Sequence, residues 1–142
     1  MSTKFKPEFK AKLLAALRSG DYKQGRLALR KDDAFCCLGV ACDVAVKEGY
    51  VNGAWDRLND GSYSIYDKDS DDRDCASLPC FIQRVVFENG SDAANPLVDL
   101  HEDLKEINAK ANRPHEGASL MGLNDHWNLS FAEIADYIEE QL

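Results

Sequence analysis

Long apolar runs are missing from this chain of 142 residues. Its longest apolar stretches are under about ten residues, whereas a membrane-spanning helix needs roughly 20. The N-terminus also lacks the apolar core of a signal peptide. We therefore expect a soluble cytoplasmic protein with no membrane partner. A chain of this length can bury about two-thirds of its unfolded surface, which predicts one domain over residues 1–142.

The chain also lacks the even number of well-separated cysteines that disulfide-bonded proteins usually have. The chain has five cysteines, and Cys36 and Cys37 are adjacent. Secreted disulfide frameworks use even counts and separated partners, so this pattern excludes such a framework and predicts reduced thiols. No phosphate-loop or dinucleotide-binding glycine fingerprint is present either, which removes the common nucleotide-enzyme motifs.

Basic residues are scarce after Lys31. Residues 1–31 hold nine Lys/Arg and two Asp/Glu, whereas the remainder holds eight and 23, and the whole chain carries a formal charge of -8. An acidic body repels a phosphate backbone, so general DNA or RNA binding is not expected. The basic segment can still meet a small anion, or its arginines can pair with acids of this same protein.

Amphipathic helices are predicted near both ends of the chain. Pro7 to Ser19 has apolar residues at the spacing of one helix face, and Gly20 suits a C-terminal cap. Near the other end, Ser130 and Glu133 form a capping-box pattern, followed by apolar positions 134, 135, 138 and 142.

A central helix is predicted from about Ala34 to Lys47, capped by Asp32 or Asp33. It contains three of the five cysteines and is apolar nearly all round, so it should lie in the core. Gly39 within it costs about 1 kcal/mol relative to alanine in an exposed helix. We therefore expect another backbone to pass close to Gly39.

The middle of the chain changes pattern. Asn59, Asp60 and Gly61 form a strong hairpin turn between strand-like segments. Further helices are predicted from Leu78 to Phe87 and from Leu97 to Ala111, with a linker at 88–94 and a loop at 112–117. Together these elements predict a mostly helical α+β domain whose small antiparallel hairpin sheet packs on the cysteine-rich helix.

Several blocks follow one another in a fixed order: Ala16–Arg26, Phe35–Asp43, Leu123–Asp125 and Ser130–Glu139. In order and spacing they resemble a group of small proteins of tailed bacteriophages and prophages, and more distantly a bacterial family of unknown function. The resemblance implies no activity. It implies an accessory protein in the cytoplasm of an infected bacterium, a setting in which small acidic proteins often inhibit or sequester host components.

The basic segment is the main candidate for a binding site. A glycine lets backbone amides approach an anion, an arginine fork matches phosphate or carboxylate oxygens, and an aromatic ring stacks on a base. The residues concerned are Tyr22, Gln24, Gly25, Arg26 and Arg30. Asn124 and Asp125 either join this site or close the turn before Ser130, because such side chains bond their own backbone.

Cysteine catalysis is an alternative from a different class. Cys36 or Cys37 would lie near a helix N-terminus, where the pKa of a thiol falls. The candidate bases for a cysteine hydrolase are His101, His115 and His126. Apolar neighbours instead favour core packing of the cysteines near residues 36–42.

Metal binding has weaker support. Cys75 and Cys80 could join Cys37, Cys42 or a histidine around zinc, but structural zinc usually uses two close pairs. The acidic run from residue 67 to 74 resembles a calcium loop, yet its sixth and twelfth positions are aspartate and leucine rather than glycine and glutamate. We expect an exposed acidic loop and no metal or other cofactor.

The sequence thus favours a non-enzymatic phage accessory protein that antagonises a bacterial anti-phage defence. Its expected ligand is a small nucleotide-derived signal, held where Arg26, Arg30, Tyr22 and Asn124 converge. One alternative is an acidic inhibitor that occludes a host defence protein through the loop at 67–74, and another is the cysteine hydrolase. A homodimer is compatible with sequestration, because pockets form readily between subunits.

Overall fold

Two amphipathic helices pack side by side although they lie at opposite ends of the sequence. The computed structural model describes residues 4–88, 94–110 and 117–142. Helix α1 spans Pro7–Ser19 and ends at Gly20, whose φ is 80°. Helix α6 spans Phe131–Gln141, and Ser130 and Glu133 form the expected capping box. Both predicted helices are confirmed, and α1 packs against α6 and against the central helix.

The central helix α2 spans Cys37–Lys47, with every residue from 37 to 45 buried. Its predicted start at Ala34 is wrong, because Ala34–Phe35 forms a strand. The N-cap is also not Asp32 or Asp33. The Cys36 thiol accepts a hydrogen bond from the Gly39 amide at 3.4 Å and occupies that role.

Gly39 of α2 meets another backbone, as its sequence context predicts. A Cβ atom at this position would overlap the carbonyl oxygen of Leu29. The same oxygen accepts a hydrogen bond from the Cys36 amide at 3.1 Å, and the Leu29 amide donates to Cys75 at 2.9 Å. The segment that ends at Leu29 is therefore held tightly against the first turn of α2.

The main sheet packs on α2 and contains one antiparallel hairpin, whose second strand joins it to the other strands. Strands β4 and β5 pair around the turn at 59–61, which confirms the predicted hairpin. Four two-residue strands that the sequence does not predict extend this sheet, and β1 pairs with β3 in parallel. The strands are β1 Lys23–Gln24, β2 Arg30–Lys31, β3 Ala34–Phe35, β4 Gly53–Arg57, β5 Ser62–Asp67 and β6 Arg73–Asp74. The order is β1-β3-β2-β5-β4, with β6 also on β5.

The remaining elements also contribute buried residues to the core. They are α3 Cys80–Val86, β7 Leu97–Asp99, α4 Glu102–Lys110, β8 Gly117–Ser119 and α5 Leu120–Asp125. The helix predicted from Leu97 begins only at Glu102, because residues 97–99 pair with β8. The predicted linker and loop fall mainly on 89–93 and 112–116, which lie outside the described residues. No helix in the described parts of the chain is long and apolar enough to span a bilayer.

Candidate functional site

A groove of about 690 Å³ opens between α1, α2 and strands β2 and β3 of the sheet. Its volume lies within the range of about 300–1,000 Å³ that is typical of small-molecule sites. Two of the predicted site residues, Tyr22 and Arg30, line it. The other lining residues are Lys12, Ala15, Ala16, Ser19, Asp21, Phe35, Asp43, Val44, Lys47 and Glu48.

Asp43 is a nearly buried carboxylate in the wall of this groove, only 6% exposed. One of its oxygens accepts from the Tyr22 hydroxyl at 2.5 Å and from Lys47 Nζ at 2.9 Å. The other accepts from Trp55 Nε1 at 3.1 Å. Burial, and then the Asp43 hydrogen bond, raise the pKa of Tyr22, so its hydroxyl remains a donor. Asp43 thus fixes the two aromatic side chains.

The Arg30 guanidinium rests on a cluster of aromatic rings. Its central carbon lies 4.1 Å from the ring centroid of Tyr63, 5.1 Å from that of Phe35 and 5.7 Å from that of Trp55. Nε donates to the carbonyl oxygen of Asp32 at 3.3 Å. No carboxylate of the described residues lies within 4.0 Å of its nitrogens. The two terminal nitrogens therefore have no anionic partner among these residues.

The other cations of the groove are already paired. Lys47 bonds Asp43, and Lys12 lies 3.4 Å from Glu8 and 3.6 Å from Glu48. Arg30 is consequently the lining cation that is left to bind an external anion. Because the aromatic rings hold its side chain in place, less conformational entropy is lost when an anion binds.

Four other predicted site residues come together elsewhere, in an internal network. Gln24 Nε2 donates to Asn124 Oδ1 and to Leu129 O, both at 2.8 Å. Asn124 Nδ2 donates to Gly25 O at 2.8 Å and to Asp125 Oδ1 at 2.7 Å. Asn124 is fully buried near the end of α5. These hydrogen bonds join β1 to α5. Asn124 and Asp125 are the last two residues of α5, so they belong to a helix and not to the expected turn.

Arg26 lies apart from both groups. It lines a smaller depression of about 280 Å³ that shares no residue with the groove. The expected convergence of Arg26, Arg30, Tyr22 and Asn124 is thus not seen in the groove, which only Tyr22 and Arg30 line. Sequence reasoning also missed Asp43, although a charged pair four residues apart in an otherwise apolar helix is a visible sign of it.

Comparison with protein families gives one match. The model of a domain of unknown function, DUF8296, matches residues 5–142. The chain belongs to the DUF8296 family. No curated protein and no solved structure matches it. The family description assigns no activity to this DUF8296 chain.

The three cysteines around α2 are core residues. Cys36, Cys37 and Cys42 are buried, whereas Cys75 and Cys80 are exposed, and all five are free thiols. Burial raises the pKa of the Cys36 thiol to about 11 and that of Cys37 well above its usual value. Desolvation therefore outweighs the helix N-terminus, which sequence reasoning expected to lower these pKa values.

We expect alkylation to separate the thiols into two classes. In native protein at about pH 8, iodoacetamide should modify Cys75 and Cys80 quickly, because only exposed thiolates react. Cys36, Cys37 and Cys42 should react only when the chain is unfolded in urea. Mass spectrometry of peptides over a time course gives the rate at each site. Fast native modification of Cys36 or Cys37 would restore the hydrolase hypothesis.

The described histidines and cysteines do not form the candidate catalytic or metal-binding groups. His101 Nε2 is 3.0 Å from Glu140 Oε2, and its ring stacks on Tyr137, while His115 lies outside the described residues. The described residues contain no group of three or more His, Cys, Asp or Glu side chains that could hold a metal ion.

Carboxylates of the acidic loop bond their own chain. Asp72 accepts from the Phe81 amide at 2.7 Å, Asp74 from the Ala76 amide at 2.9 Å, and Asp67 from the Asp69 amide at 3.1 Å. These hydrogen bonds favour a structural role for the loop, which shapes the turn before and after β6.

Proposed function

We propose that this chain is a non-enzymatic binding protein whose groove holds a small anionic ligand of the nucleotide type. The observation that carries the proposal is the Arg30 guanidinium, which is held by three aromatic rings and has no carboxylate partner among the described residues. An arginine fork of this kind suits the paired oxygens of a phosphate or carboxylate.

The groove also suits the remainder of such a ligand. Tyr22 lines it beside Arg30, and its half-buried ring is a surface against which a planar base can stack. Asp43 is already bonded by three donors, so its carboxylate is engaged in holding the wall. This engagement favours retention of a ligand over its chemical conversion.

The resemblance to tailed-phage proteins supplies a setting for this proposal. In the cytoplasm of an infected bacterium, a protein that holds a nucleotide-derived signal lowers the free concentration of that signal and so antagonises the defence that uses it. Direct occlusion of a host protein by the acidic loop is less well supported. Three of the carboxylates of that loop already bond backbone amides of this chain.

The test is to identify small molecules that co-purify with the protein. The folded chain is incubated in lysate from infected, defence-active cells, re-isolated and denatured, and the released molecules are identified by mass spectrometry. We expect one nucleotide-type ligand, released chemically unchanged. Arg30→Gln should weaken its binding at least about tenfold, because a hydrogen bond to a charged group contributes about 1.5–3 kcal/mol.

Arg84→Gln is the matched control. Arg84 is an exposed arginine on α3 that does not line the groove, and its replacement changes the net charge equally. Urea denaturation of both variants separates lost binding from lost folding. Equal ligand recovery from Arg30→Gln and Arg84→Gln would refute the groove as the site, and an empty wild-type protein would favour a macromolecular partner.

A further inference from the structure

A basic depression lies on the face of the sheet opposite the groove. Arg30 and Lys31 are consecutive residues of β2, so their side chains point to opposite faces. Arg30 faces the groove and α2, and Lys31 lines the depression of about 280 Å³ with Arg26 and Ser62. Ser62 is the cross-strand partner of Lys31. The sheet itself therefore separates the two sites.

The two cations of this depression have no ion-pair partner in the described part of the chain. No carboxylate of the described residues lies within 4.0 Å of the side-chain nitrogens of Arg26 or Lys31. Asp60 is the acidic residue in the lining, and it accepts from the Ser62 amide at 3.0 Å and from the Ser62 hydroxyl at 2.6 Å. Those hydrogen bonds lower the pKa of Asp60, with a smaller contribution from the charge of Lys31. Positive charge is thus in excess here.

Backbone amides add hydrogen-bond donors to this positively charged depression. Leu27, between Arg26 and Ala28 in the lining, has a φ of 66°, in the left-handed region that non-glycine residues rarely adopt. The amides of residues 26–28 donate no hydrogen bond to any other described residue. Successive amides around a left-handed residue form an anion-binding concavity. The Leu27 side chain is 84% exposed, so burial does not explain why this conformation is adopted.

We infer that this depression binds the phosphoryl group of a small soluble molecule, independently of the groove. A phosphoryl group offers three acceptor oxygens and about two negative charges, which match two cations and the free amides. Arg26 and Lys31 supply the charge, and the amides around Leu27 supply the directed donors. The whole protein has a net charge of -8 and repels large polyanions at long range. A small anion is attracted by the local cations, so the site is selective for small anions.

The test is a phosphate titration followed by amide NMR. Inorganic phosphate, pyrophosphate and phenyl phosphate are each added to 15N-labelled full-length protein at constant ionic strength. We expect saturable shifts of the Leu27, Ala28 and Ser62 amides. Arg26→Gln and Lys31→Gln should each raise Kd about tenfold, as expected for the loss of a charged hydrogen bond. Phenyl phosphate distinguishes a phosphate ester from the free ion.

Two controls make the outcome decisive. Lys68→Gln removes one exposed lysine outside the depression and should leave Kd unchanged. Arg84→Gln, on α3 and also outside the depression, should leave it unchanged too. None of these variants alters the groove, so failure of the groove proposal and failure of this inference are distinguishable. Linear, non-saturating shifts with all three probes would overturn the inference. So would equal affinity in the Arg26→Gln, Lys31→Gln and Lys68→Gln variants, since the NMR spectra also report whether each variant is folded.

Cys75 provides a second readout, because its exposed thiol lines the depression. In a Cys80→Ser background it is the exposed thiol that remains. Its rate with a dianionic aromatic disulfide is divided by its rate with a neutral dipyridyl disulfide. We expect this ratio to fall several-fold in Lys31→Gln and on addition of phosphate, because local positive charge concentrates the anionic reagent. An unchanged ratio in both cases would contradict a cationic site.

Discussion

Replacing Gly39 with alanine is expected to lower the free energy of unfolding by about 3 kcal/mol, the upper end of the usual cost of overpacking. The new Cβ would overlap the carbonyl oxygen of Leu29. Leu29 cannot move away easily, because its carbonyl bonds the Cys36 amide and its amide bonds Cys75. Either these hydrogen bonds break or α2 shifts within the core. Each of these changes lowers the free energy of unfolding.

Urea denaturation of the two proteins measures this loss, and Gly122→Ala is the matched control. Gly122 is also a helical glycine, but a Cβ there would meet only the Ser119 hydroxyl, at 3.1 Å. The Ser119 hydroxyl also accepts a hydrogen bond from the Gly122 amide as the N-cap of α5, so displacing it costs about 1 kcal/mol. Alanine favours the helix by about 1 kcal/mol, so Gly122→Ala should stay within about 1 kcal/mol of the wild type. Equal stability of the two variants would refute the close approach at Gly39.

Asp43→Ala is expected to lower the free energy of unfolding by a similar amount, about 2–4 kcal/mol. The change leaves the Tyr22 hydroxyl and Trp55 Nε1 without their acceptor. A buried unpaired group costs about 1–3 kcal/mol, and these two part-buried groups should fall in the lower half of that range. Lys47 adds little to the loss, because its side chain is 67% exposed and returns to water. The wall of the groove should loosen at the same time, so ligand affinity should fall with stability.

Asp33→Ala serves as the comparison for charge alone. Asp33 is 80% exposed and lies 3.6 Å from Lys23, so its removal should not change the denaturation midpoint measurably. Asp43→Asn keeps one acceptor oxygen and should fall between the wild type and Asp43→Ala. If Asp43→Ala and Asp33→Ala unfold at the same urea concentration, the buried carboxylate does not hold the aromatic side chains as described.

Local sequence determines the elements that were predicted correctly. The apolar spacing and Gly20 define α1, the capping box defines α6, and the turn at 59–61 defines the hairpin. Each of these patterns acts over a few neighbouring residues. Gly39 is a related case, because a glycine in a buried helix indicates close packing even before the partner is known.

Partners that are distant in sequence determine what was missed. Leu97–Asp99 forms a strand because it pairs with residues 117–119, and nothing within the segment itself indicates that pairing. Cys36 caps α2 because Ala34–Phe35 joins the sheet. The groove was found only in part, since Tyr22 and Arg30 come from the basic segment whereas Asp43 and Trp55 come from later elements. The sequence therefore identified Arg30 as a candidate binding residue but did not predict which side chains surround it.

The pairing of α1 with α6 sets the order in which the chain can fold. The buried face of α1 is completed by a helix more than 100 residues later, and Arg18 bonds Asp136 and Glu139 across the same interval. Closing so long a loop is entropically costly, and contacts of this range slow folding. During synthesis α1 can pack against α2 early, but the part of its apolar face that α6 covers stays exposed, or bound by a chaperone, until α6 has been made.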